Sequence, residues 1–143
     1  MRKGFTIIEL LAVLGMIALL AALALIFLTP FAAKGRDSRR EQDIKSIQSA
    51  LSLYINQKGT YPVCTQEIAV DGSTDCLSSQ LLSERTIRAM PLDPKYKGIG
   101  PCEEANSFLY CYSSSDGISY VIHYQLETNS VPSKNAGWQS VSP

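Results

Sequence analysis

Glu9 is the one ionisable side chain in a run of 24 residues, Phe5 to Leu28. At the centre of a bilayer an acidic side chain costs roughly 2.5 to 3.5 kcal/mol, so a carboxylate in such a run needs a cationic partner or a path back to the headgroups. Four cysteines form the second chemical set: Cys64, Cys76, Cys102 and Cys111, all placed after the apolar run. An even count confined to that half of the chain fits two disulfides in an oxidising, extracytoplasmic compartment. Eleven residues separate the first two cysteines and eight the last two. These spacings lack the close ligand pairs of a zinc site. Four cysteines permit three connectivities, and proximity in sequence favours Cys64 with Cys76 and Cys102 with Cys111.

Other candidates for chemistry are sparse. His123 is the single histidine, on a stretch with strand periodicity, where a structural role is expected. Asp93 and Asp116 supply loop oxygens of the kind calcium uses, but each also sits in a turn signal, and turn aspartates are the preferred reading. No Gly-rich phosphate loop, zinc spacing or nucleophile motif appears, so the expectation is a protein that is not an enzyme, with no catalytic residue, no metal and no cofactor. Basic and acidic residues balance at 13 each, which leaves no general field to draw nucleic acid. Lys34, Arg36, Arg39 and Arg40 cluster after the apolar run, interleaved with Asp37, Glu41 and Asp43, and read as a solvated helix face near lipid headgroups. Seven tyrosines, concentrated between Tyr110 and Tyr124, are expected to cover a helix or neighbouring subunits rather than to stack on single-stranded DNA.

The apolar run is long enough for a helix to cross a hydrocarbon layer of about 30 Å. A cleaved secretory signal is the competing explanation, with Ala22-Leu23-Ala24 imitating its cut site. Its apolar core usually spans about 7 to 15 residues, whereas here the chain stays apolar through Leu25-Ile26-Phe27-Leu28. Orientation is contested. Arg2 and Lys3 precede the span and four basic residues follow it, so charge counting alone puts the N-terminus outside. The cysteines argue the reverse from independent chemistry and set the expected topology: a single pass through the cytoplasmic membrane with the N-terminus cytoplasmic.

The order Arg2-Lys3, Gly4-Phe5, Thr6-Ile7-Ile8-Glu9-Leu10 and a long apolar stretch resembles the class III leader of type IV pilins and type II secretion pseudopilins. The resemblance implies cleavage between Gly4 and Phe5 by a prepilin peptidase that also methylates the new amine of Phe5. It further implies that Glu9 guides assembly by pairing with the N-terminal amine of a neighbouring subunit. Glu9 lies four residues from Phe5, about 6 Å of helix rise. In a low-dielectric bundle such a pair attracts far more strongly than in water, with desolvation offsetting part of the gain. The partners implied are other copies of the chain in a homo-oligomeric filament, the prepilin peptidase and N-methyltransferase, an inner-membrane assembly platform with minor pilins, and membrane lipid before assembly. Nucleic acid is not among them. Ala12, Gly15, Ala18 and Ala22 offer small faces at helical spacings for close helix approach. Pro30 is expected to kink or open the helix, a few residues later than such prolines stand in the family. The G-type pseudopilins carry an acidic calcium loop near the C-terminus, and nothing acidic lies in Val131–Pro143.

Beyond Gly35, Ile44, Ile47, Leu51, Tyr54 and Ile55 recur every three or four residues and predict an amphipathic helix that stops near Gly59-Thr60-Tyr61-Pro62. From Gly59 to Pro101 the turn signals predict mostly loop, with a short helix from Leu77 to about Arg85 packed on the long one, and Pro91-Leu92-Asp93-Pro94 resembles a proline-rich stretch of major pseudopilins. Asn106–Ser113 and Ile118–Leu126 alternate as strands, joined by Ser114-Ser115-Asp116-Gly117 as a hairpin, and a third strand fits near Trp138–Val141. The expected class is α+β and pilin-like: a long N-terminal helix, transmembrane in its first half and amphipathic in its second, packed on a small antiparallel sheet. The expected segments are a leader (1–4), a transmembrane helix and filament core (5–30), an amphipathic helix (31–58) and a globular head of loop and hairpin (59–143). The function implied is that of a structural subunit of a type IV pilus-like filament, reaching the cell surface on assembly. A type II secretion or DNA-uptake pseudopilin shares the same helix, and a monomeric membrane-anchored binding domain is the alternative from another class.

Overall fold

The computed structural model describes Gly4 to Pro143, with the side chains of residues 25–30 excepted; Met1, Arg2 and Lys3 of the expected leader lie outside the described residues, as does the side chain of Pro30. The chain is α+β, with elements in the order α1 (Ile7–Lys58), β1 (Cys64–Ala69), α2 (Cys76–Ser83), β2 (Cys111–Ser114), β3 (Val121–Leu126) and β4 (Gly137–Val141). It divides into two compact units, Met1–Ala33 and Lys34–Pro143.

In the first unit every described side chain from Gly4 to Ala24 is exposed. Aliphatic side chains with no tertiary partner sustain a helix only through its own backbone hydrogen bonds, and that self-satisfaction is the condition a helix must meet in lipid. The helix runs through position 30 without interruption, so the opening expected at Pro30 does not occur. Losing one N–H donor is tolerated where the flanking turns are complete.

In the second unit, burial along α1 falls at Asp37, Arg40, Ile44, Ile47, Leu51 and Tyr54, alternating steps of three and four. This stripe faces a core completed by Leu77 and Leu81 of α2 and by Tyr110, Tyr112, Tyr120, Ile122, Tyr124 and Leu126 from the sheet region. Sheet and short helix thus pack on the striped face, as the periodicity predicted. Among the described residues the sheet has four strands in the order β1-β2-β3-β4, each neighbouring pair antiparallel. Register sets Tyr112 opposite Ile122 and Cys111 opposite His123, so Tyr112 and Ile122 point to the core and Cys111 and His123 to the other face.

Three elements differ from expectation. β1 arises where loop was predicted: its Thr65, Gln66 and Glu67 are exposed because it is an edge strand, so no apolar alternation marks it. The first predicted strand is shorter than expected, since the backbone before Cys111 is not strand. The hairpin is also looser than an Asp-Gly turn. Residues 115–120 bulge out, with Gly117 at φ +70° and its carbonyl accepting from the Tyr61 N–H at 2.8 Å. A Cβ at Gly117 would come within 3.1 Å of Thr60 and 3.2 Å of Val63, so the loop is shaped by docking on the chain that follows α1. Asp116 is a turn residue, its carboxylate accepting from the Ile118 and Ser119 N–H groups at 2.9 and 3.2 Å.

Candidate functional site

In the first unit the expected cleavage position precedes helical structure: Gly4, Phe5 and Thr6 are non-helical and α1 begins at Ile7. Nothing lies within 4 Å of where a Cβ on Gly4 would stand, and Phe5 is 77% exposed. Thr6 is the residue before the helix, and Glu9 stands at its third position. The Thr6 hydroxyl accepts from the Glu9 N–H at 3.4 Å, while the Glu9 carboxylate accepts from the Thr6 N–H at 2.9 Å and from its hydroxyl at 2.6 Å. This reciprocal arrangement is a capping box, which satisfies amides that the first turn of a helix leaves bare. The sequence signal is Thr6-x-x-Glu9 before an apolar run, so Glu9 serves the cap besides the ion-pair and snorkelling roles its charge suggests.

From Ile7 to Ala24 the mean hydropathy is 2.6 and no residue is buried. Phe5, Ile7, Ile8, Leu10, Leu11, Leu14, Met16, Ile17, Leu19 and Leu20 each expose more than half their surface. An exposed apolar surface of that extent is of the kind that lipid or other helices cover in proteins generally. Gly15 has open space around it, leaving room for a close neighbour.

The second unit holds a polar centre that the sequence did not reveal. Arg40, fully buried, donates to Asp93 through Nε at 2.6 Å and Nη2 at 3.0 Å, to Asp37 at 2.7 Å and to Glu127 at 2.7 Å. Glu127 also receives Arg36 in a two-point contact at 2.7 Å and Lys95 at 2.6 Å. Asp37 accepts from the backbone N–H groups of Glu127 and Thr128 at 2.9 and 2.8 Å. The guanidinium of Arg40 further stacks over Phe108, 4.8 Å from its centroid. Burial opposes the charge on Arg40, but its hydrogen bonds to Asp93, Glu127 and Asp37 outweigh it and raise its pKa. The hydrogen bonds from Arg36, reinforced by Lys95 and Arg40, hold the Glu127 carboxyl far below its usual range. Asp37 and Arg40 therefore do not lie on the solvated headgroup face read from the sequence; they join α1 to the loop at Asp93 and to the turn after β3. Asp93 is a ligand of Arg40, with the Lys95 N–H as a second donor at 2.7 Å.

Around this centre the tyrosines act as buried props with polar tips. Tyr110 donates to Asp43 at 2.9 Å and Tyr112 to the Pro62 carbonyl at 2.8 Å, while Tyr124 meets Glu41 and Lys134. Burial raises the pKa of all three, and that of Tyr124 reaches about 12. Disulfides join Cys64 to Cys76 and Cys102 to Cys111, the pairs that sequence proximity favoured, and no cysteine is free among the described residues. The first ties β1 to the start of α2, where Asp75 caps the helix by accepting from the Leu77 and Ser78 N–H groups. The second ties the loop at Cys102 to β2. On the outer face of the sheet, His123 Nδ1 lies 2.5 Å from Glu67 and 3.5 Å from Glu103.

Fold and site define a class: an α+β chain with an N-terminal helix long and apolar enough to cross a membrane and a second unit stapled by disulfides. Comparison of the chain with family models, with curated proteins and with solved structures finds no match in any of the three.

Proposed function

We propose that the chain is a structural subunit of a type IV pilin-like filament, inserted in the cytoplasmic membrane with its N-terminus inside, cut between Gly4 and Phe5 and methylated at Phe5. The observation that carries this reading is the exposed apolar surface of Ile7–Ala24, which holds Glu9 in its first turn and starts just after exposed Gly4 and Phe5. Before assembly, lipid covers that surface; after it, the helices of other copies do. Cleavage leaves a cationic amine on Phe5, and the carboxylate of Glu9 in an adjoining copy is its partner, fixing register. The assembly is a true pilus in the first instance; a secretion or DNA-uptake pseudopilus uses the same helix.

The capping box favours one other reading, a monomeric binding domain for which the helix is only a tether. In that case Glu9 serves Thr6 in its own chain and needs no neighbour. The two readings part on charge. A capping box works with glutamine at its third helical position, whereas pairing with an amine in lipid requires a carboxylate. Glu9→Gln is therefore expected to insert and be trimmed normally but to drop out of filaments isolated by shearing, and normal incorporation would refute the pairing. Mass spectrometry of protein from its native host gives the companion result: N-methyl-phenylalanine at position 5 supports the filament subunit, and an intact Met1 supports the tether.

A further inference from the structure

We propose that the loop tip carrying Ile118 docks into a pocket on the second unit of a neighbouring copy, with Asp116 of the tip facing Lys97 of the pocket. The inference rests on the filament subunit proposed above and names the contact that joins one copy's second unit to the next. Ile118 is 77% exposed, and Val63, 45% exposed, packs against the same loop at Gly117. The loop is held from three sides. Asp116 Oδ1 accepts from the Ile118 and Ser119 N–H groups at 2.9 and 3.2 Å, and the Ser114 hydroxyl donates to the Ser119 carbonyl at 2.6 Å. The Gly117 carbonyl accepts from the Tyr61 N–H at 2.8 Å. An apolar side chain presented on a fixed loop loses little freedom when it docks. The tip thus offers one aliphatic group with one carboxylate beside it.

The pocket has the complementary chemistry. It has a volume of about 550 Å³ and is lined by Ile99, Phe108 and Leu109 together with Lys95, Lys97 and Glu104. That volume accepts a loop tip rather than a single methyl group. Lys95 is already held by Glu127 at 2.6 Å and stands 4.5 Å from the Phe108 centroid. Lys97 is exposed and makes no ion pair among the described residues, so it is the cation on offer to an incoming carboxylate. Glu104 repels such a carboxylate, which sets the docked Asp116 on the Lys97 side. The tip and the pocket lie towards opposite ends of the helix in this unit. Phe108 of the pocket sits under Arg40, whereas the tip rests on Tyr61, beyond the end of α1 at Lys58. Between Arg40 and Lys58 the helix rises roughly 27 Å. Copies staggered along that axis bring the tip of one to the pocket of the next. Such a contact uses a different patch on each partner, so it repeats along a filament instead of closing into a dimer.

The test treats filaments sheared from the native host with a carbodiimide, which joins an amine to a carboxylate only where the two touch, and maps the joined peptides by mass spectrometry. A Lys97–Asp116 linkage is expected in filaments and not in the full chain dispersed as a monomer in detergent micelles. Ile118→Asp should keep the melting temperature of the parent in micelles, because the side chain is exposed, and lower the filament yield about tenfold. Asp116→Asn keeps an acceptor for the loop, removes the charge and should lower the yield about threefold. Filaments with a trimmed Phe5, no Lys97–Asp116 linkage and an undiminished Ile118→Asp yield would overturn the contact and leave the filament subunit standing. The same linkage in the dispersed monomer would place it within one chain and also overturn the contact. An intact Met1 and no filament containing the chain would overturn the filament reading, and the contact with it.

Discussion

The two units obey opposite rules of stabilisation. From Gly4 to Ala24 nothing is buried, and the side-chain hydrogen bonds are those of the Thr6–Glu9 cap. From Lys34 onward the chain buries an aliphatic and tyrosine core, two disulfides and an ionic knot in which Arg40 joins three carboxylates. The first unit leaves its apolar surface to be covered by something outside the chain, whereas the second completes its own interactions. Insults to the knot or to the staples should therefore unfold the second unit and spare the helix of the first, whose backbone bonds are internal and which micelles cover.

Arg40→Met tests this contrast with the largest expected effect. It leaves Asp37 and Asp93 buried without their cation, and breaking a buried pair from one side typically costs about 3 to 5 kcal/mol. In micelles, urea unfolding followed by near-ultraviolet circular dichroism should show that loss, while the far-ultraviolet signal keeps the helicity of the apolar segment. A loss below about 1 kcal/mol, the range of exposed ion pairs, would mean the knot is solvated and the contrast overstated.

Removing a staple comes next. Cys64→Ala with Cys76→Ala opens a loop closed at a sequence separation of 12. Loop-closure entropy for that length corresponds to about 3 kcal/mol. Cys102→Ala with Cys111→Ala, at a separation of 9, should cost nearly the same by this measure, so a clearly larger loss would show that the second staple also holds the 102–107 loop onto the sheet. Helicity of the apolar segment in micelles should be unaffected by either pair.

What the sequence made legible follows which interactions leave a periodic trace. Ile44, Ile47, Leu51 and Tyr54 announced their helix face, and Tyr120, Ile122, Tyr124 and Leu126 their strand face, because burial by apolar side chains repeats with the element. Asp37 and Arg40 continue the same three-and-four stripe, but their charge hides this, since charge ordinarily marks the outside. Extending the stripe backward from Ile44 would have found them. Their partners Asp93 and Glu127 lie 53 and 87 residues from Arg40, a pairing no local pattern encodes. β1 was missed for the complementary reason: at the sheet edge its exposed Thr65, Gln66 and Glu67 alternate with nothing apolar, and its register shifts between Cys64 and Ile68. At the N-terminus the apolar span was plain in composition, while the cap was spelled by two residues whose hydrogen bonds are local and whose chemistry had a second use.

Proton linkage gives the subtlest discrimination between the units. Glu127 has its pKa lowered by Arg36 first and then by Lys95 and Arg40, so its contribution is present above the ordinary value of 4.5 and is lost as pH falls below it. Tyr110 and Tyr124 have theirs raised by burial, so their contribution is present below the ordinary value of 10.0 and is lost as pH rises past it, towards about 12 for Tyr124. The second unit should thus show a stability plateau with an acid limb and an alkaline limb. Glu127→Gln should flatten the first, at the cost of a lower plateau because Arg36 and Lys95 lose their anion; Tyr124→Phe should soften the second. Helicity of the apolar segment in the same micelles should stay level across both limbs, because Ile7–Ala24 contains no titrating side chain but Glu9, and the cap it forms spans only the first turn. If instead that helicity fell in step with the acid limb, the segment would be drawing stability from the second unit, and the contrast between a self-contained head and an externally covered helix would fail.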